Sequence, residues 1–235
     1  LEFRRVLFRS LTSWIALSAG GDTRVADAAM RNDLEAVRTL LKQAADANSS
    51  QGDGMTALHW AATNGNAEMA QLLIYAGATV KSTTRIGAYT PLYLAAQYGN
   101  AAVVNVLLKA GADAKLPAIG GVTPLMMAAS SGDVDTVKAL MEFGSDVNAT
   151  ESTNGQTAMS YAAAFNRGEV VKVLARYGAD INHKSNLITR VYNDLGDRNA
   201  PQPGQQPQRG AQAQGQAAPP AAQQQGGGRG GRGQQ

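Results

Sequence analysis

The fold is decided by residues 90–114, which read TPLYLAAQYGNAAVVNVLLKAGADA. Thr90 can cap a helix with its hydroxyl, and Pro91 suits the first helical position, where an amide proton would have no partner. Gly99 suits a left-handed residue that ends this helix. The aliphatic residues that follow recur at helical spacing until Gly111. The stretch therefore predicts two helices joined by a tight turn, and we expect Leu107 of the second helix to be buried.

The same stretch recurs along the chain at an almost constant spacing. Its opening phrase returns as TALHWAA, TPLYLAA, TPLMMAA and TAMSYAA, whose first residues lie 34, 33 and 34 residues apart, at Thr56, Thr90, Thr123 and Thr157. A degenerate fifth copy begins 33 residues earlier, at Thr23, and has Ala44 where the other copies end in glycine. Repetition at this period predicts a stack of five structural units over about residues 21–183.

Each unit also carries a residue suited to the left-handed turn between its two helices. Three copies have glycine there and two have asparagine, which is the usual substitute. These residues are Gly65, Gly99, Gly132, Asn32 and Asn166. Between the threonine and this turn lie paired alanines, which are small enough to let neighbouring helices approach closely.

At these residues the chain resembles the ankyrin repeat family, whose unit has 33 residues and the signature T-P-L-H-x-A. Among the departures from the signature, Met126 and Ser160 replace the histidine, and Ala57 and Ala158 replace the proline. The resemblance implies an all-α solenoid of helix pairs with protruding hairpin loops.

The first copy is more polar than the others. Asp27 and Arg31 occupy the positions that Trp60 and Asn64 hold one repeat later. We expect these two charged residues to face water, because the outer side of a terminal repeat must be soluble.

Catalytic chemistry has few candidates in this sequence. The chain has no cysteine and two histidines. His59 is the signature histidine, and the resemblance implies that it forms a hydrogen bond that fixes the turn. His183 follows the last repeat, and we expect it to be exposed. Two histidines this far apart assemble neither a Ser-His-Asp triad nor a metal site, so we predict no catalytic residue, no cofactor, no metal and no enzymatic activity.

The net charge of +3 comes from the two ends of the chain. Residues 1–10 carry three arginines and one glutamate, and residues 197–235 carry four arginines and one aspartate. The rest holds 14 basic and 16 acidic side chains. A mildly acidic body is a poor phosphate-binding surface, so nucleic acid is an unfavoured partner. No stretch approaches the roughly 18 apolar residues of a membrane span.

Residues 197–235 consist largely of Gln, Gly, Ala and Pro, with no aliphatic side chain larger than alanine. Such a segment cannot bury enough apolar surface to offset chain entropy, which predicts disorder.

The GRGGRG motif of this segment matches a dinucleotide fingerprint only formally, since neither a strand nor a helix flanks it. The two arginines of this motif leave an RNA-contacting arm as an alternative hypothesis. Residues 184–196 form a C-terminal extension between repeats and tail.

The first ten residues, LEFRRVLFRS, are the codon-by-codon translation of a common short-read sequencing adapter, CTG GAG TTC AGA CGT GTG CTC TTC CGA TCT. We therefore interpret residues 1–10 as an assembly artefact joined to a truncated gene.

Residues 11–20, LTSWIALSAG, resemble the end of a signal peptide, although they could equally end a preceding helix. The layout resembles exported bacterial ankyrin-repeat proteins, which favours an exported or periplasmic location over a cytoplasmic one.

The function predicted from these observations is that of a noncatalytic scaffold that binds a protein or peptide partner. Two alternatives stay open: an RNA-associated protein that acts through the Arg-Gly tail, and the regulatory arm of a larger, truncated enzyme. In ankyrin-like stacks the hairpin tips and the exposed side of each first helix form a concave face. The resemblance thus assigns partner binding to aromatic and apolar residues on this face, namely Met55, Tyr89, Tyr98, Val122 and Phe165.

The residues four positions after each threonine lie close to this face but are expected to be half-buried packing residues: Trp60, Leu94, Met127 and Tyr161.

Two triplets match a glycosylation sequon, NSS at Asn48 and NAT at Asn148. Such a match matters only in a eukaryotic secretory pathway.

Overall fold

A computed structural model describes residues 22–186 of the chain. Within this range ten α-helices alternate as inner and outer members of five consecutive pairs. The pairs, called repeats 1 to 5, are α1 (Arg24–Met30) with α2 (Leu34–Lys42), α3 (Ala57–Asn64) with α4 (Ala67–Tyr75), α5 (Pro91–Gln97) with α6 (Ala101–Lys109), α7 (Pro124–Ser131) with α8 (Val134–Glu142), and α9 (Ala158–Ala164) with α10 (Gly168–Arg176). The predicted all-α solenoid is confirmed. The segments 1–10, 11–20 and 197–235, and most of 184–196, lie outside the described residues.

The predicted caps start the inner helices of repeats 3 to 5. The hydroxyl of Thr90 accepts a hydrogen bond from the backbone amide of Tyr93 at 3.1 Å, and Thr123 and Thr157 cap α7 and α9 in the same way. Pro91 begins α5 at the position where its missing amide proton costs nothing. The same expectation is wrong for Thr23, whose hydroxyl donates instead to the Asp27 carboxylate at 2.9 Å.

The turn inside each repeat adopts the left-handed conformation that the sequence predicts. All five turn residues have positive φ, including Asn32 and Asn166 at +56°. Ala44 closes repeat 1 at φ +59°, although it has the β-carbon that glycine lacks. The backbone geometry of the repeat therefore persists where the favoured residue is missing.

Repeats stack through their helices and through the loops between them. Leu107 is fully buried, as predicted, in a core that runs through all five repeats. The loops form four hairpin tips, at residues 51–55, 84–89, 118–122 and 151–156. Consecutive tips are joined by backbone hydrogen bonds, such as the one from the Ile119 amide to the Gly87 carbonyl at 3.0 Å.

The hairpin tips account for the alternation of 33- and 34-residue spacings. The tips at residues 51–55 and 118–122 close with hydrogen bonds between residues four apart, Gln51 to Met55 and Ala118 to Val122. The tips at residues 84–89 and 151–156 close between residues five apart. The extra residue of each 34-residue spacing is therefore accommodated in a tip, where it disturbs no helix.

We expected both charged residues of the first repeat to face water, but only one of them does. Arg31 is exposed, but Asp27 is half-buried and is not simply solvated. Its carboxylate accepts hydrogen bonds from the side chains of Gln51 at 2.6 Å and Thr23 at 2.9 Å, and these bonds hold the pKa of Asp27 below its ordinary value. Gln51 in turn accepts from the indole of Trp60 at 2.9 Å. The predicted water-facing aspartate thus anchors the first hairpin tip.

One buried side-chain polar atom has no hydrogen-bond partner within residues 22–186. It is the hydroxyl oxygen of Thr136, a fully buried residue of α8. The same position of the outer helix is Val103 in repeat 3 and Val170 in repeat 5, and both side chains are buried. Repeat 4 therefore buries a hydroxyl where its neighbours bury a methyl group.

We expect Thr136→Val to raise the free energy of unfolding by about 1 kcal/mol, because it removes an unpaired buried hydroxyl at nearly constant volume. Urea titration measures the change. Val103→Thr, at the matching position of repeat 3, is the control and should lower stability. A Thr136→Val variant no more stable than the wild type would show that the hydroxyl is satisfied.

Candidate binding surface

The candidate surface comprises the four hairpin tips and the ends of the inner helices. Tyr89 ends the second tip, half-buried, with its ring stacked on Tyr93 at 4.8 Å between centroids and 18° between planes. Tyr93 occupies the position of the signature histidine and is buried, and this burial raises the pKa of its phenol to about 12. Tyr89 was expected to be exposed, but the stack leaves only part of its ring accessible.

The residues that precede the inner helices are less accessible than the sequence indicated. Met55 and Val122 are half-buried and pack against the core. Trp60, Met127 and Tyr161 are half-buried as expected, whereas Leu94 is buried. These side chains form the floor and edges of the surface.

Tyr98 and Phe165 lie just beyond the C-terminal ends of α5 and α9 and are 58% and 55% exposed. The matching residue of repeat 4, between them, is Ser131, so the two rings do not adjoin. In repeat 2 the matching Asn64 uses its side-chain amide to donate to the Ala29 carbonyl of repeat 1 at 2.9 Å. The structure therefore places two separate exposed rings along one edge of the stack.

The most exposed apolar side chains of the tips were missed by the sequence analysis. Ile86 is 76% exposed and Ile119 is 70% exposed, on neighbouring tips. Both lie in glycine-containing turns, where Gly87 and Gly120 have φ of +82° and +86°. An isoleucine among turn residues was the available signal, because an aliphatic residue at the apex of a tight loop has no core to enter.

His59 is a structural residue, as the resemblance implied. It is fully buried, and its Nδ1 accepts hydrogen bonds from the Thr56 amide at 3.2 Å and the Thr56 hydroxyl at 2.8 Å. Its Nε2 lies 3.0 Å from the Tyr89 carbonyl, to which it donates. Burial is the largest influence on the pKa of His59 and lowers it, against the hydrogen bonds to the Tyr89 and Ser82 carbonyls. His59 thus fixes the backbone that presents Tyr89.

His183 does not match its expected exposure. It is half-buried, and its Nε2 lies 2.6 Å from the Gly155 carbonyl in the fourth tip. The ring N–H can donate to this oxygen, which ties the end of repeat 5 to the preceding tip. Sequence spacing could not reveal this contact because the two residues are joined only by the folding of the whole repeat.

Glu151 organises the fourth hairpin tip. Its buried carboxylate accepts hydrogen bonds from the backbone amides of Thr153, Asn154 and Gln156, at 2.6, 2.7 and 3.1 Å. Burial alone would raise the pKa of Glu151, but these hydrogen bonds outweigh it and lower the pKa. The pKa of the nearby Tyr161 is raised, first by burial and then by the Glu151 charge.

Both sequon asparagines serve as clamps between repeats. The side chain of Asn48 donates to the Gly77 carbonyl at 3.0 Å and accepts from the Thr79 amide at 2.7 Å. Asn148 makes the same pair of bonds to Gly178 and Asp180. The folded stack therefore engages both side-chain amides that a glycan would modify.

Other site chemistries have little support in the described residues. Residues 22–186 contain no group of three or more His, Cys, Asp or Glu residues placed to hold a metal ion. In the same part of the chain, no helix is both long enough and apolar enough to cross a membrane.

Comparison with known proteins identifies the repeat. The family model described as ankyrin repeats (3 copies) matches residues 25–118 and 115–185. Residues of this chain are also 44% identical over 54 positions to the ankyrin repeat and LEM domain-containing protein 1 homolog of Caenorhabditis elegans. That alignment covers 23% of this chain and 8% of the nematode protein, so the chain spans a small part of that relative.

We expect the stability of the stack to fall as the pH drops below about 6.5, the ordinary pKa of histidine. Above that value His59 is neutral in both states; below it the unfolded chain takes up a proton that buried His59 resists until its lower folded pKa is reached. This group can contribute a slope of up to about 1.4 kcal/mol per pH unit.

Urea unfolding between pH 7 and pH 5 measures this slope. His59→Gln, which cannot titrate, should be less stable and should lose the His59 part of the slope. His183→Gln is the control and should keep that part, because His59 is intact. An equal slope in the wild type and His59→Gln would contradict the assignment.

Proposed function

Because the chain belongs to the ankyrin repeat family, we propose that it is a noncatalytic scaffold whose hairpin tips and inner-helix ends bind a protein or peptide partner. Ankyrin repeats generally mediate protein–protein interaction. The observation that carries the proposal is the exposure of large apolar side chains along this surface, at Ile86, Ile119, Tyr98 and Phe165. Large apolar side chains exposed along one surface are typical of interaction sites.

The side chains of the surface divide into two roles. The exposed rings of Tyr98 and Phe165 and the two tip isoleucines supply area that a partner can remove from water. Tyr89, Met55 and Val122 are half-buried, so their rotamers are already restricted by the core. Restricted side chains lose little entropy when a partner binds, which makes them suitable edges of the site.

The spacing of the two rings indicates the shape of the partner. Tyr98 belongs to repeat 3 and Phe165 to repeat 5, with the small Ser131 between them. A ligand that contacts both must cross repeat 4, so an extended segment or a broad protein surface fits better than a small molecule. Between the rings, Ser131 leaves room for a larger side chain of the partner.

The two alternatives are distinguished from this proposal by simple tests. RNA association through the Arg-Gly tail requires residues 197–235, which lie outside the described residues; it predicts binding that falls steeply with salt and disappears on truncation before Asp197. A role as the arm of a truncated enzyme is decided by the full reading frame. No observation on residues 22–186 favours either alternative.

We expect the double variant Tyr98→Ala/Phe165→Ala to fold normally and to lose at least about 2 kcal/mol of partner-binding free energy, because exposed aromatic anchors dominate such interfaces. The partner is first captured from a lysate of the source organism with the wild-type chain and identified. The affinities of the variants are then measured with the purified partner, and folding is checked by circular dichroism.

Tyr75→Ala is the matched control, since Tyr75 is 93% exposed on the outer helix α4. It should bind like the wild type. The single variant Tyr89→Ala is measured separately, because loss of the stack on Tyr93 affects stability as well as binding. Normal folding and unchanged affinity of the double variant would refute the proposed surface.

A further inference from the structure

The tripeptide Thr-Asn-Gly occurs twice in the chain, at residues 63–65 and 153–155. In an Asn-Gly sequence the glycine nitrogen can attack the side-chain carbonyl carbon of the asparagine, because glycine has no side chain that hinders the approach. Since the two tripeptides are identical, their asparagines should react at similar rates in an unfolded chain. A difference between them in the folded protein must therefore come from the structure around each asparagine.

The structure engages both reacting groups of the first tripeptide. Asn64 is the last residue of α3, and its side-chain amide donates to the Ala29 carbonyl of repeat 1 at 2.9 Å. The backbone amide of Gly65 donates to the carbonyls of Ala61 and Ala62 at the end of the same helix. The carbon and nitrogen atoms that must join are therefore held in the stack, and they can meet only after a local opening.

The second tripeptide lies outside any helix, in the fourth hairpin tip. Among the described residues, the hydrogen bonds of Asn154 use its backbone: the amide donates to the Glu151 carboxylate, and the carbonyl accepts from the Asn186 amide, both at 2.7 Å. The Glu151 carboxylate holds the amides on either side of Gly155 but not the Gly155 amide, which donates to the Glu151 carbonyl at 3.2 Å. The side chain of Asn154 can therefore turn toward the nitrogen of Gly155.

We propose that Asn154 is a site of spontaneous deamidation in the folded protein, whereas Asn64 is protected. The Gly155 nitrogen forms a bond with the Cγ atom of Asn154, and the bond from Cγ to the side-chain nitrogen breaks. Ammonia leaves with the proton that the Gly155 amide gives up, and a cyclic succinimide remains. Water then opens the ring at one of its two carbonyl carbons, which leaves either aspartate or isoaspartate. The reaction needs water alone and does not depend on partner binding.

Deamidation changes the fourth hairpin tip in two ways. Either product places a new carboxylate near that of Glu151, which lies 2.7 Å from the backbone nitrogen of residue 154, and like charges at short distance repel. Isoaspartate also adds one carbon atom to the main chain before Gly155. This insertion displaces the Gln156 amide from Glu151 and the Gly155 carbonyl from His183. The reaction therefore loosens the tip and its attachment to the end of repeat 5.

The test uses the full chain, incubated in mildly alkaline buffer, and follows the peptides that contain each asparagine by mass spectrometry. We expect Asn154 to deamidate at least about tenfold faster than Asn64, since an opening free energy of about 1.4 kcal/mol slows the reaction of a protected group by this factor. In urea that unfolds the chain, the two asparagines should react at similar rates. Equal rates in the folded chain would overturn the proposal, as would a folded chain in which neither asparagine reacts.

The variant Asn154→Gln is the matched control, because it keeps the side-chain amide but would have to form a larger ring, which is slower. Its 153–155 peptide should stay unmodified, and Asn64 should react as in the wild type. Amide hydrogen exchange after incubation measures the effect on the tip. The Gln156 amide should exchange faster in the incubated wild type and at an unchanged rate in incubated Asn154→Gln. Unchanged exchange of Gln156 in a deamidated wild type would refute the loosening of the tip.

Discussion

The paired alanines in the middle of each inner helix set how closely neighbouring repeats approach. In repeats 1 to 4 both alanines of the pair have essentially no exposed surface: Ala28 and Ala29, Ala61 and Ala62, Ala95 and Ala96, and Ala128 and Ala129. A larger side chain there would separate the inner helices, and the backbone bonds between tips would lengthen with them. In repeat 5 the second alanine, Ala163, is exposed, and no further described repeat packs against the far side of this repeat.

Each repeat contains two sets of residues: those that pack the inner helices closely together and those that remain available to contact a partner. The identities of the alanines and of the signature leucines are set by packing, and those of the threonines by helix capping. The residue eight positions after each threonine differs from repeat to repeat: Asn64 and Ser131 make side-chain hydrogen bonds to backbone carbonyls, whereas Tyr98 and Phe165 expose their rings. A surface of this kind can be altered one repeat at a time without changing the spacing beneath it.

Much of the architecture could be predicted from the sequence because it rests on local rules. Turn residues, caps and the burial of Leu107 follow from spacing and side-chain type, and even Asn32 and Asn166 take the left-handed turn as expected. Exposure at the binding surface was less predictable. The half-burial of Tyr89 depends on Tyr93, and the exposure of Ile86 depends on its place in a hairpin tip. His183 was misjudged because Gly155 reaches it only in the folded repeat.

The bonds between consecutive tips also determine how the molecule responds to force. The principal helix contacts join members of the same or adjacent repeats, and along the described tips the backbone connection passes from one loop to the next. A pull along the axis would therefore act on every junction, and we expect the extension to be divided among them. A ligand bound across repeats 3 to 5 would then reduce the extension of the two junctions that it spans.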